Sequence, residues 1–458
     1  MVNYSFLDGS NTHGALIYND GYSMSTFQRE RKNTLSCGSQ LLLLAFLLIT
    51  HCSSAVSDEY ETVLKGFGVL NTVAGNGAQD GGNDWQPSME GGPAVNADLS
   101  RPHIAMADKH GTIYIADKES HAIRKVSTNG TIHTVAGTSV PGFTDGVATN
   151  AQLNNPNGLY TFSDGTTYIL DLNNSAIRKF STNGMLSTVY IDPDGIILGR
   201  GIWVTPDEST IYYASGTRVM KLSPPGGATP YATGFTGLGQ IAIDPRDGNL
   251  VVADRLAHLV FKVFTNGTFT AIAGNGTTTG GGDGQSALST GLEEVRAIAF
   301  EPNGAYFLGT HDGSQVWYVD TAGIIHLVLD GAKPSSTHGG DGEPVTSPGL
   351  KVSEVRALSI APNGDLLVTE NDNGYIRVVD HVIRLCGFDG QPSTGATLTW
   401  TSTPRSTNHV YISHDLRTTN RIRIASVEGN PTNLLTSYTH PATNEVEETF
   451  FSIRQVIW

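Results

Sequence analysis

The chain has few of the residues on which disulfide frameworks and cysteine metal sites depend. Only three of its 458 residues are cysteines, at positions 37, 52 and 386. The first two lie in an N-terminal segment with the features of an export signal, so Cys386 alone remains once that segment is removed. A disulfide within the remaining chain, or a metal site built from several cysteines, is therefore excluded.

Charged residues are also scarce, and basic ones especially so. They make up 16% of the chain, with 28 Lys and Arg against 43 Asp and Glu, for a formal net charge of −15. Nucleic acid requires a basic stripe, and anionic membrane surfaces attract basic segments. The composition therefore predicts neither nucleic acid nor an anionic membrane surface as a partner.

Apolar runs are short. The most apolar segment, LLLLAFLLIT at 41–50, has about half of the roughly 20 residues needed to span a bilayer. Basic residues at 29–32 precede it and small residues follow, which is typical of a secretory signal peptide cleaved after Ala55. We expect a signal region over residues 1–55 and a secreted or cell-surface protein.

Two features leave alternatives open at this end. The first 23 residues are unusually polar for a signal, so Met24 is an alternative start. A lipid on Cys52 and a retained anchor are the other interpretations of the apolar segment.

Glycine, by contrast, is abundant, with 53 residues and no collagen-like period, which suits an all-β protein with many tight turns. Segments 111–137, 165–190 and 248–274 repeat one plan, in which short strands with alternating apolar residues are separated by turn residues. In each segment Asn-Gly joins the last two strands, which is the strongest short-range hairpin signal. Each repeat is therefore predicted to be an antiparallel meander.

Six candidate first strands give six repeats. They lie at 103–108, 158–162, 201–207, 240–245, 296–304 and 356–364. The last repeat lacks a fourth strand after 375–380, whereas VLNTVAG at 69–75 matches the fourth-strand consensus TVAG of 134–137. We predict an all-β, six-bladed β-propeller with four-stranded blades over 67–384, in which the N-terminal strand closes the last blade and so protects the sheet edges.

These residues resemble the NHL-repeat family. The resemblance rests on NADLSRPHIAMADKHGTIYIADKESHAIRKV at 96–126 with its following TVAG, and on the GGDG-type inserts at 281–284 and 339–342. Repeats three (198–222) and five (295–328) lack the Ala-Asp and Arg-Lys pairs. The resemblance implies a six-bladed propeller with long loops between blades.

The repeat pattern ends after residue 384. Strand-like alternation at 395–418, 421–427 and 448–458 predicts a small C-terminal β-sandwich-like module over 390–458. It resembles the fibronectin-like modules of secreted bacterial repeat proteins. The alternative is a segment that caps the propeller.

The loops differ between the two faces of the disc. Connections within repeats at one face are tight, whereas the crossings between blades are long, at 76–101, 138–156, 275–295 and 330–354. Binding residues concentrate on long loops held by a rigid scaffold. We therefore expect a protein or glycan ligand at the face that carries the crossings, called here the long-loop face.

Aspartates in these crossings suggest calcium. They are Asp80, Asp84, Asp145, Asp283 and Asp341. Calcium needs six to eight oxygen ligands, and each loop supplies only one or two carboxylates. Turn formation, with the carboxylate accepting nearby backbone N–H groups, is the competing interpretation. No other cofactor is predicted.

Catalytic signals are weak. The histidines are scattered: His133 and His326 are placed on outer strands, and only His103, His121 and His311 can approach the axis. No nucleophile elbow, clustered His-Glu metal motif or phosphate loop is present. The sequence favours a binding module. The alternatives are a metal-dependent lyase or lactonase-like hydrolase in the central channel, and a structural part of a cell-surface assembly.

One set of equivalent positions stands out. The residue at the start of each candidate first strand or directly before it, which should open onto the central channel, is His103, Asn157, Arg200, Gly239, Arg296 or Arg356. Three arginines in one ring of an acidic protein predict a local positive funnel for a small anion or an acidic group, such as that of an acidic sugar. The alternative is that the arginines bond neighbouring carbonyls or pair with Glu293, Glu294 and Glu354.

Overall fold

A computed structural model describes most of the chain. The described residues are 2–6, 15–19, 59–77, 84–331, 338–347, 350–381, 385–391, 395–401, 407–413, 422–428, 435–440 and 450–456. The basic and apolar segments of the expected signal region 1–55, at 29–55, lie outside them, as does Asp80. The described N-terminal residues form a hairpin of β1 (Val2–Phe6) and β2 (Ala15–Asn19).

The next described residues form a helix, α1 (Glu59–Gly66), and then β3 (Phe67–Ala74). Six antiparallel meanders form the blades, with strands in chain order from the axis outward except in blade six, whose fourth strand is β3. Blade one contains β4 (Pro102–Ala107), β5 (Ile113–Asp117), β6 (Ala122–Val126) and β7 (Ile132–Ala136). Blade two contains β9 (Pro156–Thr161), β10 (Thr167–Asp171), β11 (Ala176–Phe180) and β12 (Met185–Ile191). Blade three contains β13 (Ile202–Val204), β14 (Ile211–Ser215), β15 (Arg218–Leu222) and β16 (Ala228–Thr233).

Blades four to six follow the same plan. Blade four contains β17 (Leu238–Ile243), β18 (Leu250–Asp254), β19 (Leu259–Val263) and β20 (Phe269–Ala273). Blade five contains β22 (Val295–Phe300), β23 (Tyr306–Thr310), β24 (Gln315–Val319) and β25 (Ile324–Asp330). Blade six contains β27 (Val355–Ile360), β28 (Leu366–Glu370), β29 (Tyr375–His381) and β3. Each first strand contacts the first strands of adjacent blades, and β27 contacts β4. The six blades therefore close into a ring, and the predicted six-bladed propeller is confirmed.

Closure occurs through the predicted N-terminal strand. β3 pairs along its length with β29 and supplies the fourth strand of blade six. Its side chains Phe67, Leu70 and Ala74 are buried in the interfaces with neighbouring blades.

Three blades have a fifth strand that the sequence did not predict. Short strands within the crossings, β8 (Gly146–Val147), β21 (Gln285–Ser286) and β26 (Glu343–Pro344), pair with β12, β25 and β3. They cover part of the outer edge of each blade, where unpaired backbone groups would otherwise be open to other chains. Two-residue strands carry no alternation, so the pattern could not reveal them. Short 3₁₀ helices at Pro87–Met89, Ala94–Asn96, Leu172–Asn174 and Ala287–Ser289 complete the regular elements described there.

Buried ion pairs recur in blades one, two and six. An arginine in the third strand, with a side chain that is 0% exposed, bonds a carboxylate that ends the second strand. The pairs are Arg124–Asp117, Arg178–Asp171 and Arg377–Glu370. Two of these carboxylates also accept the backbone N–H of a residue ahead of the first strand, Ser100 or Asn154. These two carboxylates therefore fix the backbone just before the first strand of their blades.

Helix α1 is fastened to blade five by its first residue. Glu59 accepts hydrogen bonds from Asn303 Nδ2 (3.0 Å), Tyr318 Oη (2.9 Å) and Thr321 N (3.1 Å). The ring of Tyr60 stacks on His326 at 4.2 Å between centroids. The helix thus bridges blade five and the closing strand.

The carboxyl group of Glu301, close to Glu59, makes the free energy of unfolding depend on pH. Burial, and then the charge of Glu59, raise the pKa of Glu301 to about 7. In the unfolded chain this pKa lies near 4.3. Since the folded pKa is the higher one, the contribution of Glu301 to stability is fully present below about pH 4 and is lost as pH rises through 7.

We therefore expect Glu301→Gln to remove about 3 kcal/mol of pH dependence between pH 4.5 and 8, measured by urea unfolding at several pH values. The exposed Glu343 provides the control Glu343→Gln, which should keep the wild-type profile. Parallel pH profiles for all three proteins would show that Glu301 is not the responsible group.

The C-terminal strands form two three-stranded antiparallel sheets, as expected for a small β-sandwich-like unit. One contains β30 (Leu385–Gln391), β31 (Gly395–Thr401) and β34 (Leu435–His440), and the other contains β32 (Thr407–Ser413), β33 (Ile422–Glu428) and β35 (Phe450–Val456). Trp400 in the first sheet and Val410 in the second are buried. Within the described residues, no helix is long and apolar enough to cross a membrane.

Candidate binding site at the mouth of the central channel

The residues predicted to form a ring converge on one small cavity. It is lined by His103, Ile104, Asn157, Arg200, Gln240, Arg296, Arg356 and Ala357. All five charged or polar ring residues proposed from the sequence are among them. We call this cavity the channel mouth.

Two details of the ring prediction were wrong. Except for Arg200, the ring residues are second residues of their strands, because the strands begin one or two positions earlier than the alternation indicated. Gly239 does not line the cavity, because even a Cβ there would lie 2.5 Å from the carbonyl oxygen of Arg296. Gln240 reaches the cavity instead.

Backbone geometry turns these residues inward. Two positions before each of five ring residues, the chain adopts a left-handed conformation, with φ between 43° and 56°. These residues are Arg101, Asn155, Leu198, Glu294 and Glu354. L-residues rarely adopt this region. Its recurrence therefore marks a specific bend that directs the next side chains to the axis.

Arg356 is buried but largely without hydrogen-bond partners. It is 8% exposed, and its Nη2 lies 3.3 Å from Nε2 of His103. Its Nε and Nη1 groups have no hydrogen-bond partner. Burial, and then the charges of Lys118 and Arg200, keep the pKa of His103 well below its usual value. His103 is therefore neutral and accepts from Arg356.

Arg200 is similarly unsatisfied. Its Nε is buried without a partner. Burial first, and then the positive charges of Arg255 and Arg296, lower its pKa to about 10. Asn157 is held by its Nδ2, which donates to the carbonyl of Gly199.

Arg296 pairs with a nearby glutamate, as the alternative interpretation of the ring proposed. Its Nε donates to Glu294 Oε2 at 3.0 Å, and Arg255 Nη1 donates to Oε1 of the same carboxylate at 3.2 Å. The charge of Arg296 is therefore largely used within the protein. Arg356 and Arg200 retain unpaired N–H groups.

The sequence did not reveal Gln240 or the second tier of residues around the mouth. The Gln240 side chain joins its own blade four to blades five and six, since Oε1 accepts from the N–H groups of Ile298 and Leu358 and Nε2 donates to Leu358 O. The second tier follows the second strand of each blade and includes Lys118, Arg255, His311 and Asn371. Aligning the repeats at the ends of those strands would have found it.

Of the three histidines expected to approach the axis, two do so. His103 lines the mouth, and His311 lies in the second tier among Glu294, Asp312, Glu354 and Asp372. His121 is structural, since its Nδ1 accepts the N–H of Asn155 at 3.1 Å. His133 and His326 lie on fourth strands, as predicted.

Three of the four described aspartates of the calcium hypothesis tie loops to fourth strands. Asp145 accepts from Thr188 N at 3.0 Å, Asp283 from Leu327 N at 2.9 Å, and Asp341 from Thr72 Oγ1 at 3.1 Å. They are not the local turn bonds that the sequence suggested. Within the described part of the chain, close groups of three ligand atoms occur only around His311.

Sequence comparisons connect the chain to propellers of larger proteins. A family model described as the teneurin NHL domain matches residues 67–142, which include β3 and blade one. The chain is 29% identical to mouse teneurin-4 over 175 residues and 24% identical to Drosophila melanogaster teneurin-m over 307 residues. These alignments cover 34% and 61% of this chain but only 6% and 10% of the relatives.

A shorter match is the Arabidopsis thaliana protein SUPPRESSOR OF QUENCHING 1, chloroplastic. It is 36% identical over 86 residues, which cover 19% of this chain and 8% of that protein. The chain thus spans a tenth or less of the length of these relatives.

Solved structures show the same architecture. A protein of unknown function from Bacteroides thetaiotaomicron superposes with a TM-score of 0.55 at 14% identity, covering 68% of this chain and 75% of that one. An auxiliary nutrient binding protein from the same organism gives 0.51 at 12% identity, covering 68% and 76%. At such identities the likeness concerns the fold.

Proposed function

Since the chain contains an NHL-type six-bladed β-propeller, we propose that it is a binding module that receives an anionic group of a protein or glycan in the channel mouth. The mouth lies on the long-loop face, because each first strand begins there after a crossing. The crossings would contact the rest of the partner, while the mouth holds one charged group.

The observation that carries this proposal is the pair of unsatisfied arginines. Buried N–H groups without partners are costly, and more so when they belong to a charged group. Arg356 Nε and Nη1 and Arg200 Nε are such groups, and they border one cavity. An anion there would supply the missing acceptors.

The donors and the field of the channel mouth narrow the ligand class. Guanidinium groups offer a fork that matches a carboxylate, sulfate or phosphate group. Arg200 and Arg356 line the mouth and bond no carboxylate in the described contacts, so they place positive charge there in a protein whose formal net charge is −15, which would steer an anion to this point.

The proposal includes export of the protein. The basic stretch, short apolar run and small residues at 29–55 support a cleaved signal, and an exported propeller would meet its partner at the cell surface or beyond.

We expect sulfate, phosphate and glucuronate to raise the melting temperature of the wild-type protein at low ionic strength. Arg356→Gln and Arg200→Gln should each reduce the stabilisation by at least half, because each removes charge and N–H donors from the mouth. Thermal melts against anion concentration measure the effect, and added sodium chloride should weaken it.

The control is Lys109→Ala, which removes an exposed positive charge from the opposite face. It should respond to anions like the wild type. Equal anion stabilisation in all four proteins would exclude the channel mouth as the site.

A further inference from the structure

A second site lies beside the channel mouth, where blades five and six meet. Its centre is His311, the first residue after β23. The side chains of Glu354, which precedes β27, and Asp372, which follows β28, face the same ring. One ligand atom from each of these residues lies within 4.8 Å of the others.

The imidazole of His311 is oriented by one neighbour. Its Nδ1 lies 2.7 Å from Asp312 Oδ1, so Nδ1 carries the proton and donates it to this carboxylate. His311 is 7% exposed, and its Nε2 is buried without a hydrogen-bond partner. Because the proton is on Nδ1, Nε2 presents a lone pair.

That lone pair faces carboxylates. Asp372 Oδ2 lies 3.8 Å from Nε2, while Arg101 binds Oδ1 of the same carboxylate at 2.8 Å. The side chain of Glu354 is in hydrogen-bond contact with Asp372. A lone pair and two adjacent carboxyl groups repel one another unless something positive lies between them.

From this geometry we infer a divalent-cation site formed by His311 Nε2, Glu354 and Asp372. A carboxylate that fixes the outer nitrogen of a histidine while the inner nitrogen binds the ion is the usual arrangement around a protein-bound metal. Asp312 has that outer role here. Arg101 in the same way orients Asp372, with one oxygen held and the other directed inward.

The donors indicate which cation. One imidazole nitrogen and two carboxylates suit Zn²⁺ or Mn²⁺, whereas calcium prefers more ligands and only oxygen. A tetrahedral ion with bonds near 2.1 Å separates its ligand atoms by about 3.4 Å. The 3.8 Å between Nε2 and Oδ2 therefore needs only a small closure. Three protein ligands leave a position for water or a ligand group.

A second histidine shows what distinguishes this site. His338 also lies near two carboxylates, with Nδ1 3.8 Å from Glu370 and Nε2 4.0 Å from Asp341. There, however, the guanidinium of Arg377 bonds both carboxylates and lies 3.2 Å from His338 Nδ1. The protein thus supplies its own cation at His338, whereas no arginine bonds the inner oxygen of Asp372 or Nε2 of His311 in the described contacts.

The test is titration of the full, chelator-treated chain with Zn²⁺, Mn²⁺ and Ca²⁺ by calorimetry in a buffer free of polyvalent anions. We expect about one equivalent of Zn²⁺ or Mn²⁺ to bind more tightly than Ca²⁺. His311→Ala should weaken this binding about 100-fold and Glu354→Gln about tenfold or more. His338→Ala is the matched control and should bind like the wild type.

Unchanged binding in His311→Ala and Glu354→Gln, or no binding by the wild type, would overturn the inference and leave a shared proton between the carboxyl groups. Thermal melts of the metal-free variants verify that each is folded. With Co²⁺ as the probe, the visible absorption of the ion should show a nitrogen ligand that disappears in His311→Ala. The inferred cation site does not depend on the proposed anion binding. It stands even if Arg356→Gln leaves the stabilisation by anions unchanged.

Discussion

A chain that begins at residue 76 should aggregate, whereas one that begins at residue 59 should remain soluble and unfold cooperatively. The shorter chain lacks α1 and β3, so blade six loses its fourth strand and β29 becomes an open edge. Burial of Phe67 and Leu70 alone stabilises the ring by about 3–6 kcal/mol. That is a large part of the 5–15 kcal/mol typical of a whole domain.

Light scattering and thermal unfolding compare the two truncated proteins. The chain from 59 is the control, because it loses many more residues than the further step to 76 and keeps the closing strand. A synthetic peptide of residues 59–77 should restore solubility when added during refolding. A soluble, cooperative chain from 76 would show that β3 is not required for closure.

Replacing Arg178 by Ala should destabilise the protein by about 3–5 kcal/mol. The change leaves Asp171, whose side chain is fully buried, without its charge partner, and it frees Asp145 in the crossing. Urea unfolding measures the loss. Arg218→Ala, a change in the third strand of blade three outside these ion pairs, should cost about 0.5 kcal/mol or less.

Blade three suggests how the loss can be recovered. Met220 and Ser215 occupy the positions of Arg178 and Asp171 there, since Met220 pairs with Tyr213 as Arg178 pairs with Ile169. The double variant Arg178→Met/Asp171→Ser should therefore be more stable than Arg178→Ala, because it removes the unpaired charge as well. If the double variant were no more stable, the unpaired carboxylate would not be the source of the loss.

The repeat made the architecture predictable. Alternating strands and Asn-Gly turns gave the number of blades, and the unmatched strand at 69–75 gave the closure. Both follow from local patterns, because each blade is one hairpin-connected meander. The ring residues His103, Asn157, Arg200, Arg296 and Arg356 were found by the same alignment, since equivalent positions in a propeller face the same axis.

The repeat pattern could not predict contacts between residues at non-equivalent positions of different blades. Gln240 links β17 to β22 and β27, and Glu59 fastens α1 to turns more than 240 residues away. The cluster at His311 joins residues from different positions of two repeats. Such contacts depend on the rotation and offset of neighbouring blades, on which a single-repeat pattern carries no information.

The distinction between Arg296 and Arg356 has the same origin. Each follows the valine that begins a first strand and has a glutamate two residues earlier. Arg296 bonds that glutamate, whereas the described contact of Arg356 is with His103 of blade one. A neighbouring blade thus decides which arginine keeps unpaired N–H groups.

Anion binding in the channel mouth is tested most directly by diffraction from crystals soaked in selenate, a sulfate analogue with an anomalous signal. We expect a selenium peak in the cavity within hydrogen-bond reach of Arg356 and Arg200, which is lost in Arg356→Gln crystals. A mouth without selenium in the wild-type protein, with the Arg356 and Arg200 guanidinium groups bonded to carbonyls or glutamates, would contradict it.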